Sequence, residues 1–138
     1  MTSSSYWAKT IAFAISLIAT HSSVYAESLE EMLWNKRVII TFSNTQSNPN
    51  RLLLKNHIDK FHCEFKVRHL VHMDLIQGTN EYKQLSQKLS IVGGEFTLIL
   101  LGKDGEVKLT TASPSLIDIF SLIDSMPMRR REIDNETC

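Results

Sequence analysis

The 138-residue chain has no excess of charge of either sign: fifteen Lys and Arg balance fifteen Asp and Glu. A neutral chain exerts no long-range attraction on nucleic acid or an anionic membrane, so a partner of either kind would need a local patch. No Gly-rich phosphate loop is present, because Gly93-Gly94 precedes a strand rather than a helix. The N-terminal apolar run Ile11–Ala19 stops at nine residues, too short to span a bilayer. Repeats, low-complexity stretches and dividing linkers are also missing. With 43% hydrophobic and 22% charged residues, the length suits one ordinary globular domain with a real core.

Cysteine is scarce, and its placement excludes more than its number. Cys63 and Cys138 are the two in the chain, and neither belongs to a Cys-x-x-Cys pair. His57, His62, His69 and His72 cluster near Cys63, but His57 and His62 are off a shared helical face, and His69 and His72 fall on opposite strand faces. No zinc-type spacing results, so these are expected to be surface or packing histidines, and no metal or other cofactor is expected. Serine-hydrolase and paired-carboxylate patterns find no distinctive arrangement either.

What is present begins with an address. Lys9 and no acid precede the run Ile11–Ala19, and THSSVYA follows with Val24 and Ala26 as the small residues of a cleavage site. That is the layout of a secretory signal peptide, residues 1–26, cut after Ala26, rather than of an uncleaved interfacial anchor. The reading implies export to a periplasm or extracellular space, with no stable membrane span after cleavage, in a compartment that permits disulfides.

The mature part, residues 27–138, reads as a single domain. Ser28 and Glu31 form a capping box for a short helix ending near Trp34. Arg37–Ser43, RVIITFS, is a continuous β-branched and apolar run, the mark of a strand covered on both faces. Asn48-Pro49 starts a helix, Asn as cap and Pro as first residue, whose face is Leu54, Ile58, Phe61 and Phe65. A second strand is expected over Lys66–Leu75 and a helix over Asn80–Leu89. Phe96–Leu101 and Glu106–Thr110 flank Gly102-Lys103-Asp104-Gly105, a hairpin signal. Pro114-Ser115 with Asp118 opens a last helix through Leu116, Ile119, Phe120, Ile123 and Met126, which Pro127 is expected to stop. The order β-α-β-α-β-β-α predicts an α/β, thioredoxin-like three-layer fold: a four-stranded mixed sheet with helices on both faces. Its core is expected over about residues 34–127, with a polar C-terminal tail over 129–138.

FTLILLGKDGEVKL resembles the strand-turn-strand of thioredoxins. Three stretches, Trp34–Val38, Gly102–Leu109 and Ile123–Arg130, resemble more closely an exported bacterial family, domain-of-unknown-function family 4174. That family is related to the thioredoxin-like P-DUDES domain of sushi-repeat and coiled-coil-domain extracellular proteins. The resemblance implies a fold and an extracytoplasmic setting, and no established reaction or catalytic residue. Arg68 also resembles a family arginine, although His69 stands where an acid beside it is expected.

Thioredoxin chemistry needs a low-pKa thiolate at a helix N-terminus and a second Cys two residues on. The corresponding loop here, residues 44–48, has no cysteine, and Phe96 stands where thioredoxin has its cis-proline. The expectation is therefore a non-catalytic module that binds an envelope or extracellular protein or a small ligand, and not nucleic acid. The alternative is an atypical thiol-dependent redox protein using Cys63. Cys63 itself reads as a half-buried packing cysteine near a helix C-terminus, or as the partner of Cys138 in a disulfide, or as a redox thiol. Candidate interaction residues are Trp34, Arg37, Arg68, Arg129 and Arg130. For Arg37 the choices are an anion, a neighbouring acid or the Trp34 ring. Arg129 and Arg130, beside Glu132, Asp134 and Glu136, read as part of a mixed tail after a helix end. Lys103 reads as turn chemistry, and Asp124 as facing water.

Overall fold

A computed structural model describes residues 29–133 and Cys138. The expected signal peptide and Ser28 of the first capping box lie outside the described residues. A helical turn over 29–32 leads into β1 (Arg37–Ser43), α1 (Pro49–Lys60), α2 (His62–Val67), β2 (Leu70–Ile76), α3 (Asn80–Lys88), β3 (Phe96–Leu101), β4 (Val107–Thr111), α4 (Leu116–Ser125) and α5 (Pro127–Glu132).

All seven residues of β1 are buried. The sheet order β2-β1-β3-β4 places that strand inside it, parallel to β2 and antiparallel to β3. Strand alternation then sorts side chains between two cores. One face gathers Ile39, Leu98 and Leu100 under Leu54 of α1 and Ile119, Phe120 and Ile123 of α4. The other gathers Val38, Ile40, Phe42, Ile99 and Leu101 under Leu85 of α3 and the N-terminal turn. This is the four-stranded mixed sheet with helices on both faces that the element order implies. The Asn48 side chain accepts from the amides of Asn50 and Arg51, with Pro49 at the first helical position. Ser115 likewise caps α4 by accepting from the Asp118 amide. In the hairpin turn Gly105 has φ 79°, a conformation that favours glycine, while a Cβ there would only push the end of the Leu33 side chain aside.

Three expectations are corrected. The second strand begins at Leu70, not Lys66, because the chain bends at Phe61 and continues as α2 to Val67 before His69, at φ 50°, turns it into the sheet. Val67 is buried, but from a helix; a short apolar run does not by itself tell strand from helix. Pro127 ends α4 but also opens α5: Met126 is forced to extended backbone before it, and its own missing N–H costs nothing at a first helical position. The expected tail therefore starts as a packed helix, with Arg129 only 5% exposed.

The third correction concerns Cys63. It lies in the first turn of α2 rather than at the end of the first helix, and it is bonded to Cys138 with Cα atoms 5.6 Å apart. The packing-cysteine reading gives way to the disulfide. The bond closes a sequence separation of 75 residues, for which the chain-entropy account gives a stabilisation on the order of 4 kcal/mol. The Cys63→Ser, Cys138→Ser chain should therefore keep its far-UV circular dichroism but unfold at clearly lower denaturant concentration. Equal midpoints for the two proteins would contradict that account.

Candidate functional site

Arg37 opens β1 at the sheet end where β2 begins and β3 finishes, and its side chain is 1% exposed. A guanidinium so deep must have its donors met. Its Nη1 donates to the Arg68 carbonyl at 2.8 Å and to Glu132 Oε2 at 2.9 Å, and Nη2 donates to Glu132 Oε1 at 3.4 Å. Nε is buried without a protein acceptor. Lys103, 7% exposed in the β3–β4 turn, donates to the same Glu132 Oε1 at 2.6 Å and to His69 Nδ1 at 2.6 Å. An ammonium has donors alone, so His69 Nδ1 accepts.

A second carboxylate gathers the remaining arginines. Arg68 donates from Nε and Nη2 to the two oxygens of Asp124 at 3.0 and 2.7 Å, from Nη1 to Glu64, and lies 4.6 Å from the Phe120 ring centroid. Arg129 donates to Asp124 Oδ1 at 3.2 Å and to the Val67 carbonyl. Burial pushes the Glu132 and Asp124 carboxyls up, but Arg37 with Lys103, and Arg68 with Arg129, outweigh it and hold both below their ordinary values. For Arg68, burial works against the charge and the Asp124 and Glu64 pairings outweigh it, so its pKa is raised. A hollow of about 350 Å³ adjoins this network, lined by Arg37, Lys103 and Lys108 together with Leu122, Met126 and Met128.

The opposite sheet end, where thioredoxins carry their cysteines, is differently occupied. In the loop over 44–48, Asn48 Nδ2 donates to Asn44 Oδ1 and to the Glu95 carbonyl, both at 3.0 Å. Beneath it Thr41 Oγ1 lies 2.9 Å from His72 Nε2, and Arg51 Nε donates to Asp74. Burial, opposed by Asp74 and assisted by Lys55 and Arg51, pushes the His72 pKa down to about 4.

Of the sequence candidates, the network unites Arg37, Arg68 and Arg129. Arg37 pairs with an acid, Glu132, and not with the Trp34 ring. The acid missing beside Arg68 is supplied by Asp124 and Glu64. Trp34 is 62% exposed and has φ 66°, and its amide donates to the Lys103 carbonyl at 2.6 Å. Arg130 is exposed on α5. Cys63 and Cys138 are joined to each other. Sequence reasoning missed Lys103, Asp124, Glu132, Glu64 and His69. The signal available was that Lys103 and Asp124 sit inside the resemblance-bearing strings Gly102–Leu109 and Ile123–Arg130, with Glu132 just beyond. Among the described residues no group of three or more His, Cys, Asp and Glu could hold a metal ion, and no helix is long and apolar enough to cross a membrane.

The three stretches that carry the family resemblance thus meet at one sheet end. Over residues 28–132 the chain matches the family described as Domain of unknown function (DUF4174). The chain belongs to that family. Among solved structures it is similar to Plasmodium yoelii Prx1a, with TM-score 0.55 and 18% identity over 80% of this chain and 83% of that one. It is also similar to the Plasmodium vivax 2-Cys peroxiredoxin, with TM-score 0.60 and 13% identity over 80% of this chain and 74% of that one. At such identities the likeness speaks to the fold, which is thioredoxin-like. No curated protein matched the sequence.

Glu132→Gln should cost about 3–5 kcal/mol, because it strands two buried cations. The acid limb of the stability curve carries the same information. A carboxylate held below its unfolded pKa binds fewer protons when folded, so its contribution is complete above that unfolded value and fades as pH falls through the folded one. For Glu132 that loss begins below its ordinary 4.5, and Glu132→Gln should flatten the curve there. His72 follows the same sign higher up: its contribution is complete above 6.5 and is lost as pH falls to about 4. A His72→Asn chain should lose less stability than wild type across that interval in urea titrations, and an unchanged slope would refute the assignment.

Proposed function

We propose that this chain is exported and that its mature domain is a binding module, with the ion network and adjoining hollow as its recognition surface. The observation that carries the reading is the convergence of Trp34–Val38, Gly102–Leu109 and Ile123–Arg130 at one sheet end, away from the loop that thioredoxins use. In that loop the polar groups are engaged with one another, and no cysteine is present to attack a disulfide or peroxide. The partner is an envelope or extracellular protein or a small ligand. Trp34, bonded through its main chain to Lys103, offers it an exposed side chain, and Arg130 an exposed cation on α5. Export rests on residues 1–26 and agrees with the Cys63–Cys138 bond, which belongs in an oxidising compartment.

One observation favours a second reading, a thiol-dependent redox protein. The disulfide joins α2 to the exposed Cys138, where an external thiol has access. The two readings separate in a turnover assay. With a dithiol donor, the binding module should consume hydrogen peroxide and reduce insulin disulfides no faster than the Cys63→Ser, Cys138→Ser chain. Turnover that depends on the cysteines would displace it in favour of the redox reading. Intact mass of the secreted product, alkylated with and without reductant, should give a chain starting at Glu27 with no free thiol; a mass retaining residues 1–26 would sink export.

A further inference from the structure

The helix α5 is held in an unusual way for a packed element. Its one buried side chain is Arg129, and none of its apolar side chains is buried. What retains it is charge, through Arg129 with Asp124 and through Glu132 with Arg37 and Lys103, together with the Cys63–Cys138 bond a few residues beyond. Elements that bury little apolar surface lie at the low end of local stability. The groups receiving Glu132 are the reverse. Arg37 sits on the buried central strand, and Lys103 sits in a turn fixed by main-chain bonds from Gly102 to Glu106, from Gly105 to Gly102 and from Trp34 to Lys103 itself. A rigid pair of cations thus holds a carboxylate carried on a weakly packed helix.

We propose that Arg37 and Lys103, the latter positioned by His69, form a carboxylate receptor that the chain's own Glu132 fills, and that reduction of Cys63–Cys138 lets the carboxylate of an external ligand replace it. This deepens the reading of this sheet end as a recognition surface and rests on it. Glu132 engages Nη1 and Nη2 of Arg37 and leaves the buried Nε unmet, so it does not saturate the guanidinium. The hollow beside it sets the ligand's body: Leu122, Met126 and Met128 suit a short apolar chain behind the acid head. The ligand class is therefore a small monocarboxylate with an apolar tail.

Exchange follows from the burial of both cations. Withdrawing Glu132 alone would strand Arg37 and Lys103 without a counter-charge, so the helix end leaves only as another anion enters. While the disulfide is closed, Glu132 competes at high effective concentration and wins against a free ligand. Opening takes two electrons from an external dithiol: its two S–H groups become a disulfide, the Cys63–Cys138 S–S bond breaks, and each cysteine ends as a thiol.

Titration of the full chain with hexanoate, followed by the amide signals of Trp34 and Lys103, tests this. The oxidised protein should bind weakly, and reduction with dithiothreitol should tighten binding about tenfold, within the usual range of coupled sites. Glu132→Gln should bind in both redox states as the reduced wild type does. Adding Lys103→Met should abolish binding, and hexylamine should not bind to any form. Equal affinity of the oxidised and reduced wild type overturns the proposal, as does Glu132→Gln binding no tighter than the oxidised wild type. Should Glu132→Gln fail to fold by circular dichroism, the wild-type redox comparison decides alone. Hexanoate binding to none of the proteins ends the receptor but not the binding-module reading, which the cysteine-dependent turnover assay judges separately.

Discussion

Two cations, Arg37 and Lys103, are buried where the central strand begins, and the surrounding structure is arranged to bring one carboxylate to them. Glu132 reaches that point because Pro127 ends α4 and immediately starts α5 in a new direction. Lys103 reaches it because the glycine turn reverses the chain just after β3, with Gly105 in the left-handed region. Arg37 reaches it by occupying the first position of a strand whose residues are all buried. Even the Trp34 backbone, at positive φ, is fixed by a bond to Lys103. Ion pairs of this kind add little net stability compared with apolar packing, since desolvation offsets most of the attraction. Their effect here is to specify position: α5 has one seat, defined by which charges it carries.

The sheet has two ends at which side chains can converge, and this chain builds them differently. In thioredoxin chemistry the reactive thiols stand at the helix start after the first core strand. Here the loop over 44–48 closes on itself through Asn44, Asn48 and Glu95, and the polar residues beneath it, Thr41, His72, Asp74 and Arg51, satisfy one another. The buried charged side chains gather at the opposite end, where they come together from β1, the α2–β2 junction, the hairpin, α4 and α5. A fold establishes where sites are convenient, and the residues decide which one is used.

Much of the scaffold was legible because its signals are local. RVIITFS announces a doubly covered strand, Asn48-Pro49 and Ser115 announce helix starts, and Gly102–Gly105 announces a hairpin; each depends on neighbours a few residues away. The misreadings share the opposite property. Val67 looks like strand because its apolar character is local, while its helical state is set by Phe61 and Phe65 packing on Phe120. Lys103 looks like turn chemistry, Asp124 like a solvated residue and Glu132 like tail, because the partner of each lies far along the chain: Arg37 for Glu132, Arg68 for Asp124, Glu132 for Lys103. Charge alternation along the sequence does not encode which opposite charges will meet. Cys63 and Cys138 were ambiguous for the same reason.

The choice of charge over apolar packing to seat α5 also bears on how it can be unseated. A helix docked by buried leucines is released by anything that weakens burial in general, and it leaves behind a surface without chemical preference. A helix docked by Glu132 is released by a competitor for Arg37 and Lys103, and it leaves behind two buried cations that demand an anion in return. Its release is therefore selective by construction. The covalent tie at Cys138 adds a second condition, since it raises the local concentration of Glu132 without strengthening any contact it makes. In the proposed receptor, contacts set which ligand qualifies, and the disulfide sets when competition is open.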